Sequence, residues 1–243
     1  MAKKDIFADV TEYKPYTFGE HSFKVPVLYR RFDCFFAVFG ADGNAVRSIM
    51  PSDRLKPVPV WPGRVAVMLT AFNYIDTDIG PYGEFGVGVP CTCRHKHKTL
   101  YGLYIHRLPV TSDIARVAGV ELYGYPKFMS EMEFENTSIA HKVKLTAGDQ
   151  HVLDLHVHKP RLGFNLPADL STFTIKDNKI IYTKIAVSAT TRISPQGPAT
   201  VNTGPHEMGK ELLGLGLGDR PIAAGDFQDI KMVLPEGESI GMV

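Results

Sequence analysis

The apolar residues of this chain fall mainly in stretches that are rich in β-branched and aromatic side chains. These stretches run from Val25 to Val38, Arg64 to Tyr74, Thr99 to Val110, His141 to His158 and Ile180 to Val187. Each is bounded by Gly, Pro, Asn or Asp, as strands usually are. Between Val152 and His158, polar and apolar residues alternate with period 2, which is typical of a half-buried strand. The pattern therefore predicts a chain dominated by β-strands.

Three short helices are predicted beside these strands. Thr111-Ser112-Asp113 can cap one that runs through Ala118 and ends at Gly119. A second is expected from Asp42 to Ile49, before Met50-Pro51, and a third around Pro205 to Leu213. Because the helices are few and short, we expect a mostly antiparallel α+β fold with peripheral helices. A barrel or sandwich fits this pattern better than a βαβ sheet.

Length and composition indicate an ordinary folded protein. The chain has 243 residues, of which 44% are hydrophobic and 22% charged, close to the average for globular proteins. No repeat, low-complexity tract or Ser/Gly linker divides it. We therefore expect one domain that spans residues 1–243.

The charge balance argues against a nucleic acid or a membrane as partner. Lys and Arg total 27 against 26 Asp and Glu, and the basic cluster from Arg94 to Lys98 is too short to change this. No window has the ~18 uninterrupted apolar residues that a membrane helix needs. The three cysteines and the absence of an apolar leader predict a reduced, cytoplasmic protein without a disulfide framework.

The segment from Glu121 to Phe128 contains the strongest candidate for chemistry. Lys127 stands between Pro126 and Phe128, with Tyr125 nearby, so a stiff backbone presents the lysine among aromatic rings. A lysine attacks a carbonyl only as the neutral amine, and burial among apolar groups favours that form. The alternative is an ordinary lysine whose stem packs on the aromatics while its ammonium reaches water.

This segment resembles the surroundings of the Schiff-base lysine in the acetoacetate decarboxylase family. The matching residues are Glu121-Leu122, Tyr125-Pro126-Lys127 and, earlier in the chain, Tyr82-Gly83-Glu84, which is similar to the family's glutamate segment. Near the end, Gly204-Pro205 and Arg220-Pro221-Ile222 resemble the family's closing segment. The resemblance covers the chain from about Tyr29 to its end.

The resemblance implies a site and a reaction. Lys127 would be the nucleophile, and Glu84 would be a carboxylate that faces a small keto-acid substrate. Arg31, or alternatively Arg30, would bind the substrate carboxylate, and Tyr125 and Phe128 would flank the substrate. The family also implies a homo-oligomer. We expect no cofactor and no metal, since the alternating His156 and His158 supply too few ligands for a metal site.

Two departures from the family pattern keep the reaction open. The family's decarboxylases carry a second lysine directly after the nucleophile, where this chain has Phe128, and a second carboxylate where it has Thr70. Without the adjacent cation, burial alone is left to favour the neutral amine. Decarboxylation of acetoacetate or a related 3-keto acid is the leading hypothesis. Aldol or dehydratase chemistry on a longer 2-keto acid and a non-catalytic binding protein are the alternatives.

Overall fold

A computed structural model describes residues 5–161, 163–164 and 168–243 of the chain. In chain order its elements are β1 (Lys14–Phe18), β2 (His21–Val25), β3 (Val27–Asp42), α1 (Gly43–Ile49), β4 (Leu55–Pro57), β5 (Pro59–Trp61), β6 (Arg64–Thr77), β7 (Tyr82–His95), β8 (Lys98–Arg107), α2 (Asp113–Tyr123), β9 (Glu131–Asn136), β10 (Ala140–Ala147), β11 (Gln150–His158), β12 (Gly163–Phe164), β13 (Ala168–Lys176), β14 (Lys179–Pro195), β15 (Ala199–Thr203), α3 (Glu207–Gly214), β16 (Pro221–Leu234) and β17 (Glu238–Met242).

The main sheet closes into a barrel of seven strands. Its order is β6-β7-β8-β13-β14-β16-β3, and β3 pairs with β6 to complete the ring. Neighbouring strands are antiparallel except β8 and β13, which are parallel. The predicted fold class, α+β and mostly antiparallel with few helices, is thereby confirmed.

Both faces of the barrel wall are buried on the side formed by β6 and β7. Alternate residues of a strand point to opposite faces, so Val67, Leu69 and Ala71 pack outward while Met68 and Thr70 point inward. The outward residues join a core with Leu145, Leu153 and other apolar residues of a second, four-stranded sheet of order β15-β11-β10-β9. We call this core between the barrel wall and the second sheet the main core. The barrel interior is separate from it.

The predicted strands and helices are largely present, but the barrel strands β7, β13 and β16 were not predicted, and two of the predicted elements are corrected. The stretch from His141 to His158 is a hairpin of β10 and β11, because Gly148-Asp149 forms the turn between them. Helix α2 continues past Gly119 to Tyr123, and Gly124 ends it with a left-handed φ of 64°. The three helices have 7, 8 and 11 residues, and within the described chain no helix is long and apolar enough to cross a bilayer.

A buried ionic cluster connects the barrel to the second sheet. Asp226 of β16, only 1% exposed, accepts a hydrogen bond from Nε of Arg192 on β14 at 2.7 Å. Nε2 of His141 on β10 lies 3.0 Å from the same carboxylate, and its ring stacks on Phe35. Burial raises the pKa of the Asp226 carboxyl, but the hydrogen bonds from His141 and Arg192 outweigh burial and lower it.

Asp226→Asn is expected to destabilise the fold by about 3 kcal/mol near neutral pH, because it leaves the partly buried Arg192 and the buried His141 without their carboxylate. A carboxyl whose pKa is lowered by folding contributes stability above its unfolded pKa of about 3.9 and loses it as the pH falls through the folded value. The difference between the two proteins should therefore narrow below about pH 4. Thermal or urea unfolding at several pH values measures this. The exposed Asp229→Asn on the same strand is the control, and equal stability of Asp226→Asn and wild type at pH 7 would contradict the assignment.

Candidate active site

A cavity of about 70 Å³ lies inside the barrel. Its wall on β6 and β7 consists of alternate residues, namely Met68, Thr70, Phe72 and Tyr74, and Tyr82, Glu84, Gly86 and Gly88. Aliphatic side chains from β8, β13, β14 and β16 complete most of the remaining wall. Among the described residues of this lining, Lys127 and Glu84 are the charged ones. The cavity is therefore an apolar chamber with one cation and one anion.

The backbone that presents Lys127 is held on both sides. After Gly124 the chain reverses, and a Cβ at that glycine would lie 2.4 Å from the carbonyl oxygen of Ile175. The N–H of Lys127 donates to the carbonyl of Tyr125 at 2.8 Å, a tight turn centred on Pro126, whose fixed φ suits it. The N–H groups of Leu108 and Val110 then bind the carbonyls of Pro126 and Phe128. These bonds fix where the lysine side chain starts.

The Lys127 ammonium and the Glu84 carboxylate form a buried ion pair. Nζ donates to Oε2 at 2.7 Å, and the side chains are 7% and 8% exposed. The other carboxylate oxygen, Oε1, accepts from the hydroxyl of Tyr74 at 3.2 Å. The sequence suggested an amine surrounded by apolar groups alone. In the structure a carboxylate lies beside it as well. A carboxylate lies where a proton can pass between the two groups.

Helix α2 leaves room for the stem of Lys127 at Gly119. A Cβ at this position would lie 2.5 Å from both Cδ and Cε of the lysine. Glycine inside a helix costs about 1 kcal/mol relative to alanine. The close approach of the lysine gives a physical reason for glycine at this position. Helix α2 continues through it to Tyr123.

Four buried tyrosines surround the ion pair, namely Tyr29, Tyr74, Tyr82 and Tyr125. The rings of Tyr82 and Tyr125 each lie 5.7 Å from Nζ of Lys127. The hydroxyls of Tyr29 and Tyr82 are 3.0 Å apart, and that of Tyr125 is 2.8 Å from Oγ1 of Thr172. Burial, together with the charge of Glu84, raises the pKa of all four phenols. They stay protonated at physiological pH and can act as hydrogen-bond donors.

The structure brings together Lys127, Glu84 and Tyr125, and it places Thr70 on the same cavity. The arginines do not join them. Arg30 is exposed and pairs with Asp78 at 2.5 Å and Asp76 at 3.6 Å, and Arg31 is also exposed.

The reason that the arginines point away is a bulge in β3. The pairing of β3 with β6 shifts register on both sides of Arg31, and the pairing with β16 shifts over the same stretch. A bulge adds one residue to a strand, so Arg30 and Arg31 both face outward between the buried Tyr29 and Phe32. The expectation that one of them contacts the substrate is corrected, since Tyr29 is the residue of this region that lines the cavity.

Sequence reasoning missed Tyr29, Tyr74, Tyr82 and Gly119 as parts of the site. Tyr74 and Tyr82 carried a usable signal, because they flank the turn at Gly80-Pro81 and so face each other across a hairpin. The position of Gly119 carried a misleading one, because a glycine late in a helix pattern usually marks its end.

Comparison with known proteins identifies the family. The family model described as acetoacetate decarboxylase (ADC) matches residues 12–195, which is more than half of the chain. The chain belongs to the acetoacetate decarboxylase family. No curated protein gives a significant sequence match.

Solved structures with this fold include two described as acetoacetate decarboxylases and one of a biosynthetic enzyme. One structure of acetoacetate decarboxylase has 19% identity to this chain and a TM-score of 0.74, over 89% of this chain and 90% of that one. The acetoacetate decarboxylase of Legionella pneumophila subsp. pneumophila str. Philadelphia 1 has 14% identity and a TM-score of 0.68, over 89% and 88%. The enduracididine biosynthesis enzyme MppR, complexed with pyruvate, has 13% identity and a TM-score of 0.67, over 89% and 90%. At these identities the likeness shows the shared fold.

Phe128, the residue that follows Lys127, lies outside the cavity. Adjacent residues of extended backbone point to opposite sides, and the Phe128 ring packs on the main core and stacks on His206 at 5.8 Å. The expectation that Phe128 contacts the substrate is therefore corrected. Its aromatic ring packs between the segment that contains Lys127 and the N-terminus of α3, where His206 is the N-cap.

Proposed function

We propose that this protein is an imine-forming lyase that decarboxylates acetoacetate or a related 3-keto acid, with Lys127 as the nucleophile. The observation that carries the proposal is the Lys127–Glu84 pair, 2.7 Å apart and buried in a cavity whose other described lining residues are uncharged. Membership of the acetoacetate decarboxylase family supports the same chemistry.

Glu84 supplies the proton transfers that imine formation needs. It takes a proton from the ammonium, which gives a neutral amine and a neutral carboxylic acid without changing the net charge of the cavity. The amine then adds to the ketone carbon, and its proton moves to the former carbonyl oxygen. Glu84 returns its proton to that hydroxyl, water leaves, and an iminium cation faces a carboxylate again.

The low polarity of the cavity favours the next step. When the bond to the carboxylate carbon breaks, its electron pair forms a C=C bond, the π pair of the iminium moves to nitrogen, and carbon dioxide and a neutral enamine result. One positive and one negative charge disappear, which costs less where charges are poorly solvated. In the described lining no second cation offsets the substrate carboxylate, and Glu84 repels it. Both effects oppose the charged reactant more than the neutral products.

Aldol or dehydratase chemistry on a longer 2-keto acid is the second candidate. The observation in its favour is that the described lining of the cavity holds no lysine besides Lys127, whereas the resemblance implies a second lysine beside the nucleophile in the family's decarboxylases. The structurally similar MppR was also determined with the condensation product of pyruvate and imidazole 4-carboxaldehyde. The same enamine serves both kinds of reaction.

Borohydride trapping tests the proposal. The protein is incubated with acetoacetate or pyruvate, reduced, and analysed by intact mass and peptide mapping. The expected result is a substrate-sized addition on the peptide that contains Lys127, with acetone and carbon dioxide released from acetoacetate. Trapping of pyruvate without decarboxylation of acetoacetate would favour the second candidate. Binding without any trapping would indicate a non-catalytic binding protein.

Glu84→Gln is expected to slow imine formation and turnover together. The amide keeps the shape of the side chain but cannot carry a proton back and forth, so turnover should fall by about 10² to 10⁴. Trapping at Lys127 should slow with turnover, because the same carboxylate supplies the proton transfers of imine formation, but it should still go to completion on long incubation, since the nucleophile is intact. Turnover and trapping are measured on the same preparations. Undiminished turnover in Glu84→Gln would remove Glu84 from the proposed chemistry.

A further inference from the structure

The cavity continues away from the Lys127–Glu84 pair along β7. Gly86 and Gly88 follow Glu84 on the inward face of this strand, opposite Thr70 and Met68 of β6. Two residues of a strand span about 6.7 Å, so Gly88 lies roughly 13 Å along the strand from Glu84. We call this part of the cavity the glycine track.

The two inward positions of the glycine track carry no side chain, so the cavity reaches the backbone of β7 there. A Cβ on Gly88 would meet the side chain of Leu103 at 3.5 Å, and one on Gly86 would meet that of Leu108 at 3.4 Å. Neither glycine has a positive φ that would require it. Side chains could therefore be accommodated here at ordinary contact distances, and they would occupy cavity space.

The surroundings of the glycine track are apolar. Met68, Leu103, Ile105 and Leu108 line it, and Thr70 contributes a hydroxyl. Both charged side chains lie at the other end, near Tyr74 and Tyr82. This part of the cavity thus provides apolar contact area and no charged group to bind a second polar end of a substrate.

From these features we infer that the preferred substrate is a 3-keto acid whose ketone carries an apolar chain longer than the methyl group of acetoacetate, bound in the glycine track. The inference rests on the proposed function, since it places the ketone carbon at Lys127. Contacts with the chain would also offset the cost of burying the substrate carboxylate beside Glu84. Binding energy from a remote part of a substrate can serve the reacting centre in this way.

The test compares 3-oxohexanoate with acetoacetate. Each methylene moved from water into apolar surroundings is worth about fourfold in affinity, so the two additional methylenes should raise kcat/KM about fifteenfold. Gly88→Leu adds four carbon atoms to the end of a cavity of about 70 Å³ and should bring this ratio close to one. Gly88→Ala, the smaller change, should give an intermediate ratio. Gly214→Leu, at a helix glycine with open space around it, should keep the wild-type ratio.

A ratio of one or less in wild type, or an unchanged ratio in both Gly88 variants, would overturn the inference. A separate measurement distinguishes this from failure of the proposed function. Binding of methyl ketones from butanone to hexanone is followed by ligand-observed NMR, which needs no turnover. If no substrate is trapped at Lys127 but ketone affinity rises with chain length in wild type and not in Gly88→Leu, the apolar track stands and the lyase proposal fails. If affinity is independent of chain length, the track is wrong.

Discussion

Lys127→Ala is expected to abolish both borohydride trapping and turnover, because no other lysine lines the described part of the cavity. The substitution also leaves Glu84 buried without its cation, so a loss of activity through misfolding has to be separated from a loss of the nucleophile. Lys127→Arg serves this purpose. Arginine keeps the positive charge beside Glu84 but is not deprotonated in proteins and cannot form the imine.

The expected result for Lys127→Arg is a folded protein that shows no trapping. Circular dichroism and thermal unfolding of both variants check the fold, and reduction with acetoacetate followed by peptide mapping checks the chemistry. Retained trapping in either variant would place the imine on another lysine. Retained turnover without trapping would rule out covalent catalysis altogether.

The elements that the sequence predicted best are those set by local chemistry. Asp42 caps α1 through hydrogen bonds from the N–H groups of Asn44 and Ala45, a short-range arrangement that its side chain specifies by itself. The strand β7 was missed because it contains Gly83, Gly86, Gly88 and Pro90, which are unfavourable in strands taken alone. These glycines make sense only once the barrel exists, where two of them face the cavity.

The candidate site shows the same division. Lys127 and Glu84 were predicted from their motifs, and the structure places them in contact although they are 43 residues apart. The orientation of the arginines could not be predicted. Simple alternation along a strand would turn one of Arg30 and Arg31 inward and the other outward. The bulge that turns both outward depends on how β3 pairs with β6 and β16, which are remote in sequence. Side-chain orientations that depend on such long-range pairing cannot be predicted without the tertiary structure.

Gly119 offers a test of whether the position of Lys127, and not just its presence, matters. In an exposed or unconstrained helix, Gly→Ala stabilises by about 1 kcal/mol. At position 119 the new methyl group would lie 2.5 Å from Cδ and Cε of Lys127. The lysine side chain is flexible and is expected to move, so the clash should displace its amine from Glu84 while the protein still folds.

Gly119→Ala is therefore expected to remain folded, with its gain in helix propensity offset by the weakened buried ion pair, while its trapping rate falls by about 10², the loss typical of a displacement of about 1 Å at a reacting centre. The matched control is Gly214→Ala, also a helix glycine but with no atom within 4 Å of the added Cβ, which should leave the trapping rate unchanged. Trapping kinetics and thermal unfolding are measured for both variants. If Gly119→Ala were trapped as fast as wild type, the lysine would react equally well from a second position. Its contact with Glu84 would then be a resting arrangement of the side chain and not the geometry from which it attacks.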